Sequence, residues 1–523
     1  MALQPRATTA PKPFSFAPSQ AFEGNDGSWS TFAIRVGTPE QIFHVLISTA
    51  GQETWVPVPQ GCLSTDPSNC GALRGVMPYL SQPSDGFQVN ASTTWVPINL
   101  YELALETQLN YTGNGEYGFD TVGLQLPDSG GVSLQHQIVA GIATKSFLFG
   151  VFAIGPKPTN FTSFNNPQPS FLYSLRNQSV IPSLSWGYTG GASYQLKGLP
   201  GSLTLGGYDA SRFTPNNLTF SFSADDSKPL MVGLQTIQAT NTFRGIMSLL
   251  PFAILTFIDS TVPEIWLPGP ACELFEAAFG LQFDESTQRY LVNETVHANL
   301  TTMNPVLTFK FGNDIESSET IVINLPYKSF DLQASWPIYN TSTYYFPLRR
   351  ADNDSQYTLG RTFLQESYVI ADYERGNFSV SQCIFQENNP QNIVAIYPPF
   401  TKTHKASLSK SAMIAIIVAI IVIVMLLGSI SYIFFRKQRH RKAQAVAEQK
   451  AAEQRVSMLT DAGQEVFEVP GAKNEIFEIS SPKQAAGFEA RTEMQGTDIR
   501  HELPTTERLV ELPAVTWRHD RGD

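Results

Sequence analysis

Two segments of the chain repeat one another 211 positions apart, and only one of them carries an acid. The first reads Val45-Leu46-Ile47-Ser48-Thr49-Ala50-Gly51-Gln52-Glu53-Thr54-Trp55-Val56-Pro57. The second reads Thr256-Phe257-Ile258-Asp259-Ser260-Thr261-Val262-Pro263-Glu264-Ile265-Trp266-Leu267-Pro268. Each has an apolar run, a small turn, a Glu two residues before a Trp, and a Pro two residues after it. A repeat of this kind predicts two related lobes, each giving one turn to a common site. In that alignment Ser48 faces Asp259. A carboxylate can take a proton from water near neutral or mildly acid pH, whereas a serine hydroxyl can only hydrogen-bond to it.

The elements that must position these turns are read from composition and spacing. The 523 residues are long enough for two buried lobes with appendages. Charged residues are only 15% while Gly and Pro number 37 and 35, and β-branched and aromatic runs recur between turns, so a mainly β body is expected. Short strands are predicted at residues 30–36, 43–47, 203–205, 321–325 and 368–373, with a helical stretch from Cys272 to Phe279 after Pro270. The net charge of −11 and the absence of a basic cluster in the first 400 residues exclude nucleic acid as the expected partner.

The four cysteines, Cys62, Cys70, Cys272 and Cys383, form no CxxC pair and have no His at ligand spacing, so no metal is expected. In a secreted context two disulfides follow, Cys62–Cys70 closing a tight loop and Cys272–Cys383 joining distant segments; other pairings stay open. Ten N-x-[ST] sequons lie before residue 400, at Asn90, Asn110, Asn160, Asn177, Asn217, Asn293, Asn299, Asn340, Asn353 and Asn377, pointing to a glycoprotein of the secretory pathway.

Residues 412–435 are uncharged and almost wholly apolar, long enough to cross a bilayer as one helix. The basic run Arg436-Lys437-Gln438-Arg439-His440-Arg441-Lys442 follows at once, which places the tail on the cytoplasmic side and the large domain extracellular or lumenal. Residues 1–28 lack the apolar core of a signal peptide, so either a segment upstream or a reverse signal anchor in the helix itself is expected, the former favoured because about 400 residues precede the helix. The expected organisation is a disordered segment at 1–27, an N-terminal lobe at 28–215, a C-terminal lobe at 216–386, a stalk at 387–411, the membrane helix at 412–435, and a largely disordered cytoplasmic tail at 436–523, with a helical start over 443–455. The closing Arg521-Gly522-Asp523 would face the cytosol and is read as chance.

With four further segments, the paired turns resemble the pepsin-like aspartic proteases (peptidase family A1) across residues 28–386. Those segments are Ile34-Arg35-Val36-Gly37-Thr38-Pro39-Glu40-Gln41, the looser 149–155, Gly201-Ser202-Leu203-Thr204-Leu205-Gly206-Gly207-Tyr208-Asp209, and 357–364 running on to Ala371-Asp372-Tyr373. The resemblance implies a bilobal β fold without cofactor. The stalk, helix and tail are similar to those of membrane-anchored members in fungi. It also implies two Asp-Thr/Ser-Gly-Thr/Ser loops, whose carboxyls share one proton and activate a water between them.

Against that pattern Ser48 stands in the place of the first acid, Asp259 is retained, and Ala50, Gly51, Thr261 and Val262 also depart. Thr49 and Ser260, at the positions that bridge the loops, are kept. Losing one general acid or base costs about 10²–10⁴ in rate, so the expectation is a pseudoprotease whose cleft or glycosylated exterior binds a peptide or protein. The competing expectations are an active aspartic endopeptidase using Asp259 with an unusual partner, and a purely structural surface glycoprotein. No replacement acid is expected: Asp26 and Asp128 sit in turns, Asp120 follows the flap, and Glu53 and Glu264 are read as meeting backbone or solvent. Tyr111, within the Asn110 sequon, is either the flap tyrosine or an exposed hairpin tip. Trp55 and Trp266 are read as core anchors.

Overall fold

The computed structural model describes residues 10–162, 165–387, 389–399 and 410–459. The sequence repeat is a structural repeat. In the first half, strand Gln41–Ser48 alternates inward Phe43, Val45 and Ile47 with half-buried neighbours, as a strand with one face on a core must. Strand Gly150–Ala153 runs parallel to it, pairing Val151 with Leu46 and Ala153 with Ser48. The same strand lies antiparallel to Thr54–Pro57. The turn at 49–53 is therefore held between two strands that share a third.

The second half repeats the arrangement. Strand Ile254–Ile258 pairs in parallel with Thr358–Leu359, which is antiparallel to Ile265–Pro268. The loosest of the family-like segments, at 149–155, thus contains the strand that pins the first turn, and Thr358–Leu359 does the same for the second.

Around these motifs the first half forms a seven-stranded sheet in which Phe32–Val36 also pairs with Asn114–Leu124, closing it on itself as a barrel. The second half builds an eight-stranded sheet and a smaller four-stranded one. A six-stranded sheet draws on both halves, with Ser185–Ala192 and Leu199–Leu205 beside Ser367–Asp372 and Asn377–Gln382. Trp186 is fully buried in it. The hairpin of strands Val96–Glu102 and Asn114–Leu124 ends in a tip, residues 103–113, whose seat is described below.

The ordered body extends beyond the expected limits at both ends. Phe14–Phe16 pairs with Leu203–Leu205, and Phe16 is buried against Phe32 and Phe152 at ring distances of 5.0 and 5.8 Å. The expected disorder over 1–27 therefore fails from residue 14, because an apolar Phe-Ser-Phe run completes a sheet edge. Likewise Ile393–Ala395, assigned to the stalk, pairs with Gly207–Asp209. Residues 1–9 and the tail beyond 459 lie outside the described residues.

Helix Lys410–Leu459 includes the expected membrane segment and the helical start of the tail. Within it, Val418–Gln444, with a mean hydropathy of 2.7 in its most apolar window, is long and apolar enough to cross a membrane. Nine of the sequon asparagines are exposed, and Asn377, at the start of an inner strand, is half-buried.

Cys62 and Cys70 form a disulfide with a Cα–Cα distance of 5.8 Å. The expected Cys272–Cys383 bridge is not made; both thiols are free and buried. Cys272, in helix Gly269–Phe279, points at the carbonyls of Leu267 and Arg349, whereas Cys383 packs with Phe213 and Tyr368 and meets the Thr189 hydroxyl at 3.2 Å. The two belong to different parts of the core. Burial pushes each thiol up to about 12. Thiol titration at pH 8 should find no reactive cysteine in the native protein and two after denaturation without reductant; none after denaturation would show that the bridge exists.

Candidate active site

The two turns meet through reciprocal hydrogen bonds. The Thr49 amide donates to Ser260 Oγ at 2.9 Å, and the Ser260 amide donates to Thr49 Oγ1 at 3.0 Å. Ser260 Oγ donates in turn to the Ile47 carbonyl at 2.7 Å. All of these groups are buried, so each bond replaces one that water could not supply.

On this platform Asp259 is fully buried, and its Oδ1 accepts from the Thr261 amide at 2.8 Å and the Thr261 hydroxyl at 2.6 Å. Ser48 Oγ lies 2.7 Å from the same hydroxyl and accepts from the Gly51 amide at 2.9 Å. Thr261 has one hydroxyl proton and gives it to Asp259, so Ser48 must donate to Thr261. A directed chain therefore runs from Gly51 through Ser48 and Thr261 to Asp259. Thr261, a departure from the family pattern, is the residue that receives the hydroxyl put in place of an acid.

The other oxygen, Asp259 Oδ2, has no donor while its neighbours are ionised. Beside this carboxyl lies Glu106, which no motif in the sequence marks. Glu106 sits in the hairpin tip, 4% exposed, with a left-handed backbone at φ 57°. Gln108 Nε2 donates to its Oε2 at 2.7 Å, and its carboxyl adjoins the Asp259 carboxyl closely enough for a shared proton to bond the two. Two carboxyls can make that bond only when one of them holds a proton. Burial first, and then the Asp259 charge, hold Glu106 well above the usual carboxylate range. Burial also raises Asp259, against the lowering by its bonds from Thr261 and Glu106.

The tip that brings Glu106 is seated on the second half of the domain. Leu109 is buried against Val262 and Trp266, so the Val at the second loop's last position has an apolar partner. Gln356 Nε2 donates to the Gln108 carbonyl at 2.6 Å. Tyr111 packs on Phe147 with ring centres 5.2 Å apart, and burial raises its phenol far above the usual range. The only signal for this seat in the sequence is the apolar spacing of Leu103, Leu105 and Leu109 around one Glu.

The acids weighed from sequence fall elsewhere. Asp128 is exposed in a turn, and Asp120 accepts from Thr94 and Thr121. Glu53 does not rest on backbone or solvent, because Trp55, Tyr117 and Thr159 all donate to it. Glu264 is wholly buried and ion-paired with Arg289 at 3.2 Å. Trp55 packs on Phe147, and Trp266 lies under the Arg349 guanidinium. Asp26 has a supporting place: it pairs with Arg361 at 3.1 Å, and Arg361 donates to the Ser260 and Thr261 carbonyls at 3.2 and 2.6 Å. Beside the loops lies a cavity of about 490 Å³ lined by Trp55, Tyr101, Leu105, Tyr117 and Phe161.

Two such turns, each pinned by a third strand and bridged by Thr49 and Ser260, are the frame that the sequence comparison describes. The family Eukaryotic aspartyl protease matches residues 31–383. The chain belongs to this family. It is similar to Secreted aspartic protease 5 of Candida albicans, with 24% identity over 394 residues, covering 71% of this chain and 80% of that protein. Membership in the eukaryotic aspartyl proteases implies peptide substrates for the family.

Arg361→Ala would leave the Asp26 carboxylate unpaired and two loop carbonyls without their donor. The expected loss is about 3–5 kcal/mol of folding stability, read as a lowered urea midpoint. A loss near zero would show that Arg361 does not brace the second loop.

Proposed function

We propose that this protein is a single-pass membrane glycoprotein whose aspartyl protease domain is catalytically silent and serves as a binding surface for a peptide or protein. The observation that carries this reading is the state of Ser48. Water activation in this family's chemistry needs two titratable groups on one water. The Ser48 hydroxyl cannot accept a proton at the relevant pH, and it is already committed to Thr261. Glu106 adjoins the Asp259 carboxyl, on which a water or substrate carbonyl would have to act.

The apolar helix, the exposed sequons and the Cys62–Cys70 disulfide support a domain held outside the cytoplasm, with the residues after 436 on the inner side. The family's chemistry supports a peptide as the class of ligand for the cleft.

A second reading is favoured by one specific contact. Glu106 and Asp259 form a pair of carboxyls sharing a proton, so an endopeptidase using Glu106 as its second acid is the alternative. The approach direction argues against it. Glu106 comes from the hairpin above the cleft, and a peptide entering beneath that hairpin would push the two acids apart.

The test is cleavage of a diverse unstructured peptide pool by the full chain in detergent, from about pH 3 to 7, where such carboxyl pairs titrate. Wild type, Asp259→Asn and Glu106→Gln are expected to be equally inert. Turnover lost in Asp259→Asn would overturn the silent reading, and loss in Glu106→Gln as well would assign the second acid. Ser48→Asp is also expected to stay inert while the tip is seated. Its introduced carboxyl enters a buried site holding two others, so its melting temperature should fall below wild type at pH 7. Each unit by which that carboxyl is raised above its unfolded value costs about 1.4 kcal/mol. Because such a group favours folding only below its unfolded pKa, the deficit should shrink on acidification.

A further inference from the structure

We propose that the hairpin tip, residues 103–111, is a proton-operated latch that occupies the cleft over Asp259 and withdraws when the Glu106–Asp259 pair loses its shared proton, opening the cleft to a peptide. The proposal concerns regulation of the site described above and rests on reading that site as a peptide cleft.

The tip is held by few anchors. On the second half these are Leu109 and Tyr111 packed with Val262 and Trp266, the Gln356 bond to the Gln108 carbonyl, and the contact between the carboxyls; on the first half Leu103 is buried and Tyr111 packs on Phe147. Against them stands its backbone. Ala104, Glu106 and Asn110 are all left-handed, at φ 52°, 57° and 65°, a conformation that non-glycine residues adopt at a cost of about 1 kcal/mol or more each. A loop wound this way stays seated only while its anchors outweigh its own preference.

The charges around the pair leave that anchor sensitive to one proton. Glu106 faces Asp259, its own neighbour Gln108, and at longer range the Lys228 charge. Asp259 faces Thr261, Glu106 and, at longer range, the Arg361 charge. Neither cation touches a carboxylate of the pair: Lys228 Nζ donates to the Ser355 carbonyl, and Arg361 is bound to Asp26 and the loop carbonyls. With both carboxyls ionised, two negative charges adjoin in a buried space with no cation among the described residues in contact to offset them.

The sign follows from burial and the Asp259 charge, which raise Glu106 in the closed state. In the open state Glu106 returns to water and an ordinary carboxylate value, about 4.3. The closed form therefore holds its full advantage below that value and loses it as pH rises through the raised one. Between the two values the ratio of open to closed grows about tenfold per pH unit, and above the raised one, where both states are ionised, it levels off.

Hydrogen–deuterium exchange of the full chain in detergent tests this from about pH 4 to 9, the span between an ordinary and a strongly raised carboxyl. Exchange at 103–113 is normalised to the exposed turn at 126–131, which removes the intrinsic pH dependence. Protection of the tip is expected to fall about tenfold per pH unit from the ordinary carboxylate value up to the raised one and then to level off, with the turn-normalised profile flat in Glu106→Gln, whose amide can still donate to Asp259 without titrating. Asp259→Asn should be flat as well, which covers the case that one variant fails to fold. A flat wild-type profile, or the same slope in wild type and both variants, overturns the latch. These outcomes separate from the cleavage test: a flat profile without turnover removes the latch and keeps the silent reading, and turnover with a titrating tip does the reverse.

Discussion

The reciprocal pair of bonds between Thr49 and Ser260 is the constraint on which the site depends. These are buried main-chain donors on loops from different halves of the chain. Leaving either unmade would cost about 1–3 kcal/mol, so the loops are locked face to face and in register. That lock sets Ser48 opposite Thr261 and turns Asp259 toward the space under the hairpin. The Arg361–Asp26 pair braces the second loop from behind through its carbonyls. Removing an acid from the first loop has therefore not dissolved the platform, because the platform was held by neighbours of the acid.

The departures from the family pattern occur as contacting partners. Ser48 donates to Thr261, and the Thr261 hydroxyl fills the valence of Asp259 Oδ1. Val262 gives Leu109 an apolar seat, which brings Glu106 beside the Asp259 carboxyl. Each change looks like a loss when taken alone. Together they satisfy Oδ1 of a buried carboxyl without a second loop acid and leave Oδ2 to a proton shared with Glu106, as a low-dielectric pocket requires of any carboxyl it encloses.

Much of the fold was legible because it rests on local rules and on repetition. Alternating apolar residues at 41–48 read as a strand, and the Trp and Pro following each turn marked the two loops as equivalents. The errors had physical causes. The pairing of Cys272 with Cys383 was inferred from an even count, but a disulfide needs two Cα atoms within about 7 Å, and that is a matter of packing. The short Phe14–Phe16 and Ile393–Ala395 strands carry too few residues to show a period. Glu53 was assigned to solvent because its three donors come from positions 55, 117 and 159.

The sequence by itself determined that the first loop holds a hydroxyl where the second holds an acid, since residue identity alone decides which group can take a proton. It also determined that a helix of membrane-spanning length follows the domain, because that depends only on a continuous apolar run. Only the tertiary structure decided what surrounds Asp259. Glu106 lies more than 150 positions away in the chain, on a hairpin tip without a motif of its own. It reaches the acid because Leu109 finds Val262 and Trp266, and contacts of that kind arise from packing between distant strands rather than from the spacing of neighbours.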